Sequence, residues 1–136
     1  MKARSTKTSK EIKYITKACK ITDFTFKQAL KELKKNKFKT EKELALFLEK
    51  TIRKQNANLA FRAIVASAKN SAEVHHKPSG KLKKGFLMID LGAKYKNYCC
   101  DMTRTIYLGT PTKTEEALYN KVLENNLIRH LSIAVK

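Results

Sequence analysis

A chain of 136 residues is long enough for one domain around one core, and its 42% apolar content and mean hydropathy of −0.49 suit a globular protein in water. No apolar run approaches the roughly 20 residues of a membrane helix, and no apolar core follows the basic opening MKARSTKTSK, so a cytoplasmic protein with no membrane partner is expected. The net charge of +18 suits either a nucleic-acid partner or a solvated Lys-rich surface, and the scarcity of Arg, the better reader of base edges and phosphates, favours the solvated surface.

From Ser9 to about Lys34, apolar residues recur at helical spacing (Ile12, Ile15, Ala18, Ile21, Ala29, Leu30, Leu33). Thr6 or Ser9 is placed to cap the start, with Glu11 in the first turn. The β-branched Thr22 and Thr25 flank Asp23, which predicts a bend or break there. KKNKFK is a polar interruption. Thr40 with Glu43 three residues on forms a capping box, and Leu44, Leu46, Phe47, Leu48 and Ile52 carry a second amphipathic helix to about Lys54.

LAFRAIVAS then reads as a strand. The loop KNSAEVHHKPSGKLKKG follows, with His75, His76 and Pro78. FLMIDLGAKY and YCCDMTRTIYL read as a hairpin turning at Lys96-Asn97, where Asn97 tolerates positive φ. Thr114, with Glu115 and Glu116 behind it, opens a last helix through Leu127 and Ile128. The order α-α-β-loop-β-β-α predicts an α+β domain, an antiparallel sheet with helices on one face.

The hairpin contains two acids. Across a two-residue turn, cross-strand neighbours are separated by an odd number of residues, so Asp90 and Asp101 lie on the same face. Met88, Thr103 and Thr105 share that face. Leu87, Ile89, Leu91, Met102 and Ile106 form the opposite, core-facing side, with Gly92 as a site for a register-changing bulge. Two carboxylates so placed repel each other and need a proton, a basic side chain or a divalent cation between them. Lys94 is the nearest basic candidate on their face; Arg104 falls on the other. Spacing alone does not choose between ion pair and metal. Cys19, Cys99 and Cys100 form neither a disulfide framework nor a C-x-x-C zinc pair. Small thiols in a reducing compartment are expected, with one of the adjacent pair facing the core and the other facing the aspartates.

Four stretches, taken in order, carry a family resemblance: KTSKEIKYITKACKITD, FRAIVASAKNSAEVHHKPS, LKKGFLMIDLGAKYKNYCCDMTRTIYLG and EEALYNKVLENNLIRHLSIAVK. Together they resemble the first half of the catalytic domain of pita-bread metallopeptidases, in the branch of Xaa-Pro aminopeptidases and prolidases. The acidic hairpin with D-x-T-R-T is the specific part. The resemblance implies one partial catalytic domain over residues 1–136, the first pseudo-symmetric half, without the N-terminal domain such enzymes often carry. It implies that Asp90 and Asp101 are the first two metal ligands of a site for two divalent cations (Mn²⁺, Co²⁺ or Zn²⁺), which a His and two Glu from the second half complete. His75 falls on the family's active-site His, which contacts substrate or intermediate; His76 matches no functional residue, and His130 is left unassigned. In the family the metal pair activates a hydroxide that attacks the scissile carbonyl while a site Glu handles the proton.

Val74, Ala68, Phe86 and Cys100 depart from the family's Pro, Gly, Asp and Ser, which marks a divergent member. With two ligands of five, the chain alone is expected not to hydrolyse its peptide substrate, and to expose an apolar face. Its completing partner would be a separately encoded half-domain or a further copy of the chain. The competing readings are a non-catalytic relative that binds nucleic acid or protein through its Lys-rich surface, and a non-functional remnant. The retained aspartate pair favours descent from an enzyme.

Overall fold

The computed structural model describes the backbone of residues 6–134 and the side chains of residues 6–125. Helix α1 spans Ser9–Lys34 and α2 spans Glu41–Lys54. Thr8, rather than Thr6 or Ser9, caps α1: its hydroxyl accepts from the Glu11 amide, and the Glu11 carboxylate accepts from the Thr8 amide. The Thr40–Glu43 capping box of α2 forms as expected. Asn36 ends α1 in the left-handed region at φ 54°, and the Lys37 and Asn36 amides close onto the Glu32 and Leu33 carbonyls. This Schellman closure is the structural content of the polar KKNKFK interruption.

Helix α1 does not break at Thr22–Thr25. Both hydroxyls donate back to carbonyls one turn earlier, Thr22 to Ala18 and Thr25 to Ile21, so neither competes for its own amide. Thr22 Oγ1 also accepts from the Ala93 amide at 3.0 Å, tying the buried centre of α1 to the sheet. Tertiary contact overrides the weak helix propensity of threonine here.

Two three-stranded antiparallel sheets follow, in the orders β2-β3-β6 and β1-β4-β5. The strands are β1 (Asn58–Leu59), β2 (Ile64–Ser67), β3 (Gly85–Leu91), β4 (Ala93–Tyr95), β5 (Tyr98–Cys99) and β6 (Met102–Leu108). LAFRAIVAS therefore contributes the end of β1 and all of β2 rather than one strand. The hairpin is divided too: at Gly92 its first arm passes from β2 as neighbour to β1. The register does not slip across that junction. Tyr95 pairs with Tyr98 below it, and Leu91 with Met102 above it. Lys96 and Asn97 both have positive φ, 49° and 68°, as a type I′ turn requires.

Leu87, Ile89, Leu91 and Met102 are buried and pack with Val65, Leu44, Leu48 and Ala29 into the main core. A smaller cluster joins Ile21, Ile52, Ala57 and Ala93. Thus α1 and α2 cover one face of the sheet. Cys19 and Cys100 meet on that side, where burial and its neighbour push the Cys19 thiol up to about 11. Cys99, on the aspartate side by alternation, is exposed and the three thiols are free. Helix α3 spans Lys113–Ala134, beginning just before the expected Thr114; Thr112 and Glu115 form its reciprocal cap. Tyr119 of α3 stacks on Phe86 at the far end of the aspartate face. Leu118, Val122 and Leu123 are exposed, in line with the expected apolar face. Leu127, Ile128 and His130 lie outside the described side chains.

Candidate functional site

Asp90 lies on the central strand β3, directly across from Ile64 of β2 and Thr103 of β6. Thr103 Oγ1 donates to its carboxylate at 2.8 Å. Asp101 sits on the same face, one diagonal step along the hairpin, as alternation requires. Asp90 is half-buried and Asp101 exposed. Burial pushes the Asp90 carboxyl up, the Thr103 hydrogen bond opposes that, and the Asp101 carboxylate beside it adds to the rise. Among the described residues neither aspartate forms an ion pair with Lys or Arg. Lys94, the expected partner, is paired with neither.

A cleft of about 420 Å³ opens over the pair, lined also by His75, His76, Phe61 and the basic residues Arg62 and Lys77. Gly92 sets how closely Phe61, which lines the cleft, packs on the hairpin. A Cβ there would overlap the Cys100 carbonyl oxygen and stand 2.8 Å from the Phe61 ring, so only glycine lets the hairpin arms and the Phe61 segment close together. The structure thus brings Asp90, Asp101 and His75 to one cleft. It does not bring them to ligand distance as a set: among the described residues no group of three His, Cys, Asp or Glu side chains is arranged to hold a metal ion. Two carboxylate donors without a basic partner fit a divalent cation in kind, but supply only part of a coordination shell.

His76 lines the same cleft, but its two ring nitrogens are taken up by acids. Its ring is buried between two acids, with Nδ1 3.0 Å from Glu73 and Nε2 2.8 Å from Glu41. Those hydrogen bonds raise its pKa against the opposing effect of burial. Glu41 is the residue that sequence reasoning passed over. It is fully buried, yet its carboxylate accepts from the Ser67, Ser79 and Gly80 amides, the Asn70 side chain and His76. Burial alone would raise its pKa; the five donors overcome that and hold it at about 2. One signal was available. Glu41 shares the helical stripe of Leu44, Leu48 and Ile52, all fully buried, so an acid stands where the pattern calls for an apolar residue.

The profile of metallopeptidase family M24 matches residues 13–130. The chain belongs to that family. It is 40% identical over 124 residues to the Xaa-Pro dipeptidase of Pyrococcus horikoshii, covering 89% of this chain and 35% of that protein. Among solved structures it is similar to an X-Pro aminopeptidase from Thermotoga maritima, with TM-score 0.81, 38% identity, and 89% and 35% of the two chains covered. It is also similar to an Xaa-Pro dipeptidase from Bacillus anthracis, with TM-score 0.83, 39% identity, and 93% and 36% covered. The α+β architecture is therefore part of the pita-bread fold, and the chain spans about 35% of the length of the curated relatives it matches. Among the described residues no helix is long and apolar enough to cross a membrane.

Proposed function

We propose that this M24 chain supplies two metal-ligating aspartates, Asp90 and Asp101, and an active-site histidine, His75, to a hydrolase acting on Xaa-Pro peptides. The observation that carries the reading is a pair of carboxylates on one sheet face, without a Lys or Arg ion pair among the described residues, facing a cleft that His75 also lines. A family whose members are metal-dependent gives that costly arrangement a purpose. Divalent cations bound there (manganese, cobalt or zinc) supply Lewis-acid activation of water and of the scissile carbonyl. The chain's own residues prepare the place. Thr103 fixes the orientation of Asp90, and its mutual repulsion with Asp101 makes a cation a better neighbour than a second anion. Gly92 lets the Phe61 segment close against the hairpin, and His75 lines the cleft where a substrate carbonyl or its tetrahedral successor would be contacted. The remaining ligands, a His and two Glu by the family pattern, come from a further polypeptide segment, so the 136 residues alone are inactive.

A chimera tests this. Residues 13–130 replace the matching segment of the Pyrococcus horikoshii dipeptidase, and Xaa-Pro dipeptide hydrolysis is followed with Mn²⁺ present. Metal-dependent turnover that Asp90→Ala abolishes supports the proposal. Turnover indifferent to Asp90→Ala and Asp101→Ala contradicts it, as does robust Asp90-dependent turnover by the isolated chain.

A further inference from the structure

We infer that Glu41 is the positioning residue for His75, acting through the loop that links β2 to β3; this rests on the site proposed above. His75 is exposed in a segment whose only regular structure is the short 3₁₀ turn Ala68–Ala72. Such a loop does not by itself hold a side chain over a cleft. Here one carboxylate gathers both of its ends. Oε1 of Glu41 accepts from the Ser67 amide at 2.8 Å and from Asn70 Nδ2 at 2.9 Å, at the loop's entrance. Oε2 accepts from the Ser79 and Gly80 amides at 3.1 and 3.0 Å, at its exit. The same Oε2 lies 2.8 Å from His76 Nε2, and His76 immediately follows His75. With Nδ1 of His76 held by Glu73 as well, that ring is fixed at both nitrogens and the backbone next to His75 is fixed with it.

The anchor is rigid because it belongs to a helix. Glu41 is the first residue of α2, its amide donates to the Gly80 carbonyl at 2.9 Å, and Leu44 and Leu48 on its own stripe are fully buried. The N-terminal end of a helix also favours the anion. Gly80 leaves the necessary room: a Cβ there would come 3.1 Å from Asn70 Nδ2 and 3.5 Å from Glu41 Oε2. Glu41 does not itself line the cleft; it acts on His75 through the loop and through His76, which lines the cleft beside it.

The test is NMR on the isotope-labelled chain, wild type against Glu41→Gln, with Mn²⁺ as a paramagnetic probe. Gln keeps the shape but loses the charge and one acceptor. In the wild type, Mn²⁺ is expected to broaden the Asp90 and Asp101 amides and the His75 ring together. In Glu41→Gln the aspartate broadening stays and the His75 broadening is lost. The Ser79 and Gly80 amide protons exchange about 10- to 100-fold faster, as expected for loss of a charged hydrogen bond, while α1 amides are unchanged. A folded Glu41→Gln chain whose His75 ring broadens as in the wild type overturns the inference. So does a uniform rise in exchange that includes α1, which marks a general stability role. If Mn²⁺ broadens neither aspartate, the metal reading fails instead, and exchange decides: unchanged Ser79 and Gly80 overturn the inference, and selectively faster ones uphold it. Should Glu41→Gln unfold, His76→Ala, which removes one of the five donors, carries the same comparison.

Discussion

Replacing Asp101 by Asn should stabilise the metal-free chain while removing its response to metal. Asp101 is exposed and faces Asp90 across a diagonal of the hairpin, and among the described residues neither forms an ion pair with Lys or Arg. At ~4 Å, the separation of carboxylates in contact, two unit charges repel by about 4 kcal/mol at an effective dielectric of 20 and by about 1 kcal/mol in water. Because Asp101 is exposed and salt screens it, the lower end applies, and Asp101→Asn should gain about 1 kcal/mol at neutral pH. The gain should vanish in acid, once Asp90, whose pKa is raised, has taken a proton. Urea unfolding followed by circular dichroism in chelator reads this directly. Repeating it in Mn²⁺ should stabilise the wild type, by about 1.4 kcal/mol at ten times the dissociation constant, and leave Asp101→Asn unmoved. If Asp101→Asn is less stable than wild type in chelator, or if Mn²⁺ stabilises both chains equally, the account of the acidic face is wrong.

Ala68 occupies the left-handed region at φ 51°, where the family pattern has Gly. Ala68→Gly should raise stability by about 0.5–1 kcal/mol, relief of backbone strain exceeding the added entropy of the unfolded chain, as a urea midpoint shift would show. Thr22→Val removes the acceptor of the buried Ala93 amide and should cost about 1–3 kcal/mol in the same assay, with α1 remaining helical. The Glu41–His76 contact gives a pH signature. Glu41 is lowered from 4.5 to about 2, so its contribution, roughly 3 kcal/mol, is present above pH 4.5 and lost as pH falls through about 2. His76 is raised above 6.5, so its contribution is present below pH 6.5 and lost as pH rises through its folded value. The stability difference between wild type and His76→Gln should therefore be largest between about pH 4.5 and 6.5, and a difference that is flat with pH would refute the charge pairing.

The parts of this protein that local rules govern were legible in the sequence. The Thr40–Glu43 box, the Lys96-Asn97 turn and the alternation that puts Asp90 and Asp101 together all depend on residues near each other in the chain, and all appear as expected. What was not legible depends on distant partners. Thr22 reads as a helix breaker until the Ala93 amide, brought by the sheet, makes it a docking point. Glu41 reads as an ordinary acid of a first helical turn until five donors, 26 to 39 residues away, converge on it. The division of the hairpin at Gly92 depends on where β1 and β2 attach, which no period within the hairpin encodes. His75 and His76 both line the cleft, yet one is exposed and the other is buried between two acids, and alternation along an irregular loop cannot separate them.

The central claim is that the two aspartates are metal ligands. Electron paramagnetic resonance of Mn²⁺ titrated into the chain tests it most directly, because free ion is counted against bound. Uptake by the wild-type chain that is lost in Asp90→Ala/Asp101→Ala, with the fold intact by circular dichroism, is the expected result. Equal uptake by the double variant, or none by the wild type up to millimolar Mn²⁺, would contradict the account.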